Sequence, residues 1–532
     1  MSRDSYRISG LEVTDADHAM LPNTARTIVV GAGLAGQEVV GELSRRGVRD
    51  VLLIEAGPAD DLRHVNVAHA PETALRMWLE PTTDSSFVQP WTSRTAPHYT
   101  GSSGIRRRLG GRALYWYGVT LQMEDWALTE PAWPAAVVRD LRVSWRGGPS
   151  LYAQVERRLR EWAERTETGS EPVALPRQVD AGSIRLMPTP LTRRTASHSP
   201  AAWYAYSGLD DWRDPVTGKW HGTPPGTRLL TGTEVVNIVV RDGRARGVMI
   251  RRPGSDLLTE VSAENIVLCA GTMENSRLSL QALTPADHSG PATLPGLADH
   301  IVQGLFLRLE GASAARLMEA VPVGSYYASY DPPARSNLFV DVHPQDANGG
   351  VLVEIRAMGE QLDQGTSRVE VTPADSYPWP TSVHSVPSEA DRLLIAAQQQ
   401  IVRDCYAQVC AIAGVRRREF EFAAYGDPER GNALALPESI ATMPFAVPTT
   451  WSNLLGTEDH EGGTLPLGEV LDEQHEFRAI SGLFAAGPST FPRLGAANPS
   501  LTTMALAHRL AALLADRLTS DTPVAGMTGG TR

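Results

Sequence analysis

Three glycines at fixed spacing, Gly31, Gly33 and Gly36, follow directly on Thr27-Ile28-Val29-Val30, and they constrain this chain more than any other feature. The short run before them reads as a buried strand. Gln37 to Arg46 reads as a helix and Val51-Leu52-Leu53-Ile54 as the next strand, ending at Glu55. That is a βαβ unit of ordinary size. In such a unit Gly31 permits a tight turn, Gly33 lets the backbone approach a pyrophosphate, and Gly36 lets the helix pack closely on the strand. The helix N-terminus offers free N–H groups and a positive dipole end to the phosphates. Glu55, 19 residues beyond Gly36, is placed to accept hydrogen bonds from an adenosine ribose. The motif fits FAD and NAD equally.

At 532 residues the chain needs more than one hydrophobic core. A hydrophobic content of 42% and a charged content of 21% are those of a globular protein. The net charge of −12, with no dominant basic stripe, argues against a nucleic-acid partner. Met1 to Asn23 lacks a signal-peptide core, and no apolar run approaches the roughly 20 residues of a membrane helix. A cytoplasmic protein that engages no membrane is expected. Cys269, Cys405 and Cys410 make no CxxC or zinc spacing, so reduced thiols and no metal site are expected.

Pro58 to Gly104 reads as loop, Leu151 to Thr166 as an exposed charged helix, and Thr227 to Val261 as a strand meander turning at Asp242-Gly243. Asn265 to Gly271 is a further buried strand, and Asp391 to Ile412 an amphipathic helix. The expected fold class is α/β, α+β overall. A Rossmann-like FAD-binding lobe is assembled from discontinuous segments, beside a substrate lobe with a mostly antiparallel sheet. The expected boundaries are 24–130, 226–300 and 455–520 for the cofactor lobe. Residues 131–225 and 301–454 form the substrate lobe and lid, with flexible termini at 1–23 and 521–532.

His460-Glu461-Gly462-Gly463-Thr464 precedes Asn498-Pro499-Ser500-Leu501-Thr502, Asn498 standing 38 residues after His460. The pair offers one imidazole and one amide for handling a proton. Leu483 to Gly487 reads as a strand and Leu501 to Leu518 as a helix, capped by Asn498 with Pro499 at its first position. A helix starting there aims its positive end forward. A reduced flavin carries negative charge near N1 and the C2 carbonyl, which such an end stabilises, so FAD is favoured.

In these residues the chain resembles the glucose–methanol–choline (GMC) oxidoreductases. Val29 to Gly57, Leu109-Gly110-Gly111, Asn265 to Leu278, His460 to Gly468 and Gly482 to Leu510 match in order. The middle third matches only in general layout. The resemblance implies an FAD-dependent enzyme oxidising a CH–OH group. His460 takes the hydroxyl proton, Asn498 hydrogen-bonds the substrate oxygen, and hydride leaves for flavin N5. An imidazole with an ordinary pKa of about 6.5 accepts a proton near neutrality, and Asn498 cannot compete for it. Gly31, Gly33, Gly36, Glu55, Gly110, Gly111, Val236, Gly271, Gly487 and Pro499 are the implied cofactor contacts. The family often has Arg-Met before the closing glycine of the histidine motif, where this chain has Pro466-Leu467 before Gly468. Some sugar oxidases of the family link flavin through a histidine at the position of Tyr115, so non-covalent FAD is expected here.

Tyr115, Trp116 and Trp451 are the expected substrate-pocket walls, with Tyr117 and Trp203-Tyr204-Ala205-Tyr206 as further candidates, because aromatic faces suit a sugar ring. The resemblance lies toward the sugar-oxidising bacterial branch, some of whose members act in aminoglycoside assembly. It therefore implies a sugar or aminosugar hydroxyl as substrate, and oxygen or an unidentified acceptor. The alternatives are a hydroxynitrile-lyase-like enzyme of the same fold, an oxidase of a non-sugar alcohol, and a flavin-stabilised binding protein. His300 is expected to be structural and His475 solvated. Ser103 and His98 lack a nucleophile elbow, which disfavours a hydrolase.

Overall fold

The computed structural model describes residues 22–520 except 166–169, 174–175, 198, 200, 253, 286–287, 345–349 and 363–364. The terminal tails expected to be flexible therefore lie almost wholly outside the described residues. The first sheet collects strands from distant parts of the chain. Strand β1 (Thr24–Val30) lies parallel to β2 (Val51–Ile54), and β3 (Thr227–Leu230) adds parallel to β2. On the other side of β1 runs β6 (Thr259–Leu268), also parallel. The hairpin β4 (Glu234–Arg241) and β5 (Arg244–Arg251) joins antiparallel along the first half of β6, and β11 (Leu483–Ala485) joins parallel along its second half. Asp242 and Gly243, both at positive φ (53° and 67°), make the hairpin turn, as the Asp-Gly pair predicts.

Helix α1 (Leu34–Arg45) and the C-terminal helix α4 (Ser500–Ser520) cover this sheet and pack on each other. Buried Val39, Val40 and Leu43 of α1 share a core with Leu510, Leu514 and Leu518 of α4. Helix α2 (Thr272–Leu283) follows β6 directly.

The second sheet is antiparallel: β10 (Thr449–Ser452), β7 (His300–Leu309), β9 (Val351–Glu360) and β8 (Ser336–Pro344), then Gly324–Tyr330, Ile184–Pro188 and Val179–Ala181. Helix α3 (Glu389–Ala413) packs on one face of it, burying Val402, Cys405, Tyr406 and Val409. A Ser388/Asp391 capping box starts α3 and Gly414 at φ 65° ends it.

Three local expectations need correction. The region 58–104 is not all loop, since Val65–Ala68 and Pro71–Leu79 are helical. The helix Leu151–Ala163 is amphipathic rather than exposed: its charges face out, while Leu151, Tyr152, Val155, Leu159 and Trp162 are buried. His475 does lie in a turn, at φ 69°, but it is fully buried rather than solvated. Burial holds its imidazole neutral, pushing its pKa well below the ordinary value. All three cysteines are buried and free. Among the described residues no helix is long and apolar enough to cross a membrane.

Candidate active site

A cavity of about 980 Å³ runs from the glycine turn after β1 to the face of the antiparallel sheet opposite α3. At its first end the backbone is shaped for close approach. A Cβ on Gly31 (φ +96°) would lie 2.7 Å from the Cys269 carbonyl oxygen, and one on Gly36 would lie 1.9 Å from the Gly31 oxygen. The turn and the α1–strand contact thus each require glycine. Gly33 differs, because nothing lies within 4 Å of its Cβ position and it faces the cavity. Gly271 (φ +84°) is similarly open, and Gly487 (φ +104°) nearly so, with Ala35 at 4.0 Å; both line the same space. An open groove of backbone at the start of α1 suits a pyrophosphate.

Glu55 also lines the cavity. Its Oε2 accepts from the Ala32 N–H (2.9 Å) and its Oε1 from the Gly57 N–H (2.8 Å). Each oxygen keeps a second acceptor site for a ribose. Burial pushes its pKa up to about 7, against these hydrogen bonds. Gly111 lines the cavity, whereas Gly110 (φ +99°) stands one residue back and faces Leu114, shaping the loop. Val236 is a correction. Strand alternation turns its neighbour Val235 to the cavity, and the Val236 carbonyl accepts from Gln281 Nε2 (2.6 Å) and Arg277 Nη1 (3.1 Å). The groove fits a dinucleotide.

Around the middle of the cavity three side chains from three elements form a directed chain. His300, at the start of β7, places Nε2 3.0 Å from the Gly495 carbonyl oxygen and Nδ1 2.9 Å from His460 Nδ1. A carbonyl only accepts, so His300 Nε2 carries its proton. Burial holds this imidazole neutral, with its pKa pushed down to about 4. A neutral ring has one N–H, so His300 Nδ1 is an acceptor and His460 Nδ1 must donate to it. His460 Nε2 is left unprotonated and accepts from the Asn498 Nδ2 amide at 3.4 Å, and both residues line the cavity. Burial, then the neighbouring His300 and Arg112, hold His460 neutral too. The arrangement presents one proton-accepting nitrogen to the cavity.

Two expectations shift here. His300, expected to be structural, touches His460 directly. Helix α4 begins at Ser500, with the Pro499 carbonyl accepting from Thr503 N–H (2.8 Å), so Asn498 lies outside the helix and is not its cap. Its amide faces the histidine instead. The start of α4 still lines the cavity, through Pro499 and Ser500.

The loop that carries the Gly495 carbonyl is pinned. Arg493 pairs with Glu360 (2.5 Å), Glu360 accepts from Gly495 N–H (3.2 Å), and Glu124 accepts from Ala496 N–H (2.9 Å). Arg112, directly after the Gly110-Gly111 pair, pairs with Glu461 (2.7 Å) and Asp459 (3.0 Å) on either side of His460. Residue spacing could not reveal these partners, because each lies far away in sequence.

The aromatic walls are partly as expected. Tyr115, Trp116, Tyr117, Trp203 and Trp451 line the cavity. Tyr204 and Tyr206 do not: both pack edge-on against Trp162, and the Tyr206 hydroxyl donates to Glu38 (2.8 Å). Phe306 and Phe339, on the sheet face, are walls the sequence did not disclose, and Phe306 stacks on Trp451 (5.7 Å, 22°).

With this geometry in hand, comparison with known proteins is informative. Residues 363–507 match the family model described as GMC oxidoreductase. The chain is 22% identical to 5-(hydroxymethyl)furfural oxidase of Methylovorus sp. (strain MP688), over 91% of this chain and 97% of the relative. It is 26% identical to C-glycoside 3-oxidase of Microbacterium trichothecenolyticum, over 64% of this chain and 62% of the relative. Among solved structures it resembles pyridoxine 4-oxidase from Mesorbium loti, with a TM-score of 0.57 and 16% identity over 92% of this chain and 98% of that one.

Proposed function

We propose that this chain is an alcohol-oxidising flavoprotein of the GMC oxidoreductase type, whose family model its residues 363–507 match, and that His460 is the base that opens oxidation of a sugar-like hydroxyl. The observation that carries this is the unprotonated Nε2 of His460, oriented by His300 and beside the Asn498 amide on the cavity wall. A substrate hydroxyl in front of the pair takes the place of their mutual contact, accepts from Asn498 Nδ2 and gives its proton to His460 Nε2. The Nδ1–H of His460 then bonds His300 as a charge-assisted donor, which stabilises the imidazolium. The bound flavin supplies the hydride acceptor. Gly33, Gly271, Gly487 and the start of α4 would hold its phosphates and ring, and Glu55 its ribose.

FAD is the cofactor proposed, held without a covalent bond. Tyr115 stands where a linking histidine would be, and its hydroxyl is engaged by Arg108 (3.0 Å) and Ser86 (3.1 Å). Acid precipitation should leave the flavin in the supernatant; flavin in the pellet would contradict this. The substrate class rests on the aromatic walls, since Trp116, Trp203 and Trp451 can meet the apolar faces of a ring while hydroxyls point to polar groups. A relative named for a glycoside substrate agrees with that class, and relatives named oxidases favour oxygen as the acceptor.

The test is anaerobic flavin reduction by sugar alcohols in His460→Ala. Reduction should fall by about 10²–10⁴-fold while flavin stays bound. Rapid reduction by the variant would remove His460 from the role, and product formed with the flavin still oxidised would identify a lyase.

A further inference from the structure

At the end of the cavity away from the glycine turn, the face of the antiparallel sheet carries more buried acid than it can neutralise. Asp341 on β8 stands directly opposite Glu354 on β9 in the antiparallel register. Like charges at opposed positions destabilise a sheet unless a cation bridges them. Arg356, on the same face of β9 as Glu354, is that bridge: its Nη1 donates to Asp341 Oδ2 (2.8 Å) and Glu354 Oε2 (2.9 Å). Glu458, two residues before His460, also faces this guanidinium. Three carboxyls therefore share one cation on the cavity wall. Arg193 also acts electrostatically on Asp341, but its guanidinium is clasped between the rings of Tyr117 and Trp203 and does not line the cavity.

Two unpartnered atoms say what the wall lacks. Asp341 is only 2% exposed, lines the cavity, and its Oδ1 has no hydrogen-bond partner among the described residues. A buried carboxylate oxygen without a donor costs free energy that a ligand donor would recover. Trp451, also 2% exposed and on the same cavity, has an Nε1–H with no acceptor. A ligand that satisfied both atoms would carry a cationic donor at one end and an oxygen acceptor elsewhere.

We infer that the Asp341–Glu354 pair binds the ammonium group of the substrate, which makes the substrate an amine-bearing polyol. The inference rests on the alcohol oxidation proposed above, since it places the ammonium in the cavity that His460 faces. The ammonium donates to Asp341 Oδ1 and sits beside Glu354 and Glu458. A ring or chain oxygen accepts from Trp451 Nε1–H. Burial pushes Glu354 and Glu458 up toward their neutral forms, and a bound cation returns them to carboxylates. A divalent metal is the other occupant to weigh, because Asp341, His343 and Glu354 offer ligand atoms within 4.8 Å of one another. Arg356 weighs against it, because it already holds one oxygen of each acid and leaves too few free oxygens for the roughly six ligands a divalent ion takes.

The test compares matched substrates on the flavin-loaded enzyme: glucosamine against N-acetylglucosamine and glucose, and 4-aminobutanol against butanol. Each is scored by anaerobic flavin reduction and by its shift of the flavin spectrum on binding. The amines should be preferred by about tenfold or more in kcat/KM, the usual weight of a hydrogen bond to a charged group. Asp341→Asn should abolish that preference, read as the ratio of amine to neutral compound within the one variant, and Glu354→Gln should weaken it. If neutral compounds reduce the flavin as well as amines do, or Asp341→Asn leaves the preference intact, the ammonium site is wrong and alcohol oxidation stands. If no compound reduces the flavin or shifts its spectrum, both readings fail. Tight binding of Mn²⁺ that Asp341→Asn removes, with no amine preference, would reassign the cluster to a metal.

Discussion

At the scale of single residues, the proposed chemistry turns on which nitrogen of His460 is unprotonated. The Gly495 carbonyl orients His300, and His300 orients His460. Replacing His300 by leucine leaves a buried N–H of His460 without an acceptor, at a cost of about 1–3 kcal/mol, and frees the ring to adopt the other tautomer. His300→Leu should therefore slow flavin reduction by about 10–100-fold with flavin retained. His300→Asn can place its amide oxygen near the lost nitrogen and should recover most of the rate. Equal losses in both variants would show that packing, not orientation, is at stake. The pH profile gives a second readout. Burial depresses the His460 pKa, so the imidazole stays neutral and competent as pH falls through the ordinary histidine range. The acid limb of kcat/KM for flavin reduction should lie below about pH 6.5. A limb at or above that value would mean an ordinary or raised pKa.

At the scale of the element, the strand–turn–helix unit does two separable things with its glycines. Gly36 serves packing, since a Cβ there would stand 1.9 Å from the Gly31 oxygen, whereas Gly33 serves only the groove, with empty space in front of it. Gly36→Ala should therefore lower the melting temperature and the flavin content together. Gly33→Ala should keep the fold and its melting temperature without flavin, yet weaken flavin binding by at least about tenfold, because the methyl group occupies the path of the phosphates. Fluorescence titration of flavin and thermal melts of the flavin-free proteins separate the two cases. The unit itself was legible in the sequence because strand, turn and helix are contiguous and each local preference agrees with the others. The helix after Asn498 was legible too, apart from its start. An Asn-Pro pair reads as a cap from sequence, and only the nearby histidine shows why the amide turns elsewhere.

At the scale of the whole molecule, the cavity is walled by two sheets, one gathering strands from both ends and the middle of the chain and the other from residues 179–452. A flavin that binds only the folded protein should stabilise it by about 2.7 kcal/mol at a hundredfold excess over Kd. The melting temperature should thus rise with added FAD and fall when flavin is stripped; indifference to FAD would contradict reversible binding. The sequence by itself determined the mononucleotide-binding unit, the two C-terminal motifs and the α/β class, because these depend on contiguous periodicity and short fixed spacings. Only the tertiary structure decided that His300 holds His460, that Val235 rather than Val236 meets the cavity, and that Trp203 alone of its aromatic stretch lines it. It also decided that Asp341, Glu354 and Glu458 converge on one arginine. Asp341 and Glu354 meet through strand register, and Glu458 reaches the same guanidinium from more than 100 residues away. Register and sheet packing are set by the burial of many side chains at once, so no local pattern of residues carries that information.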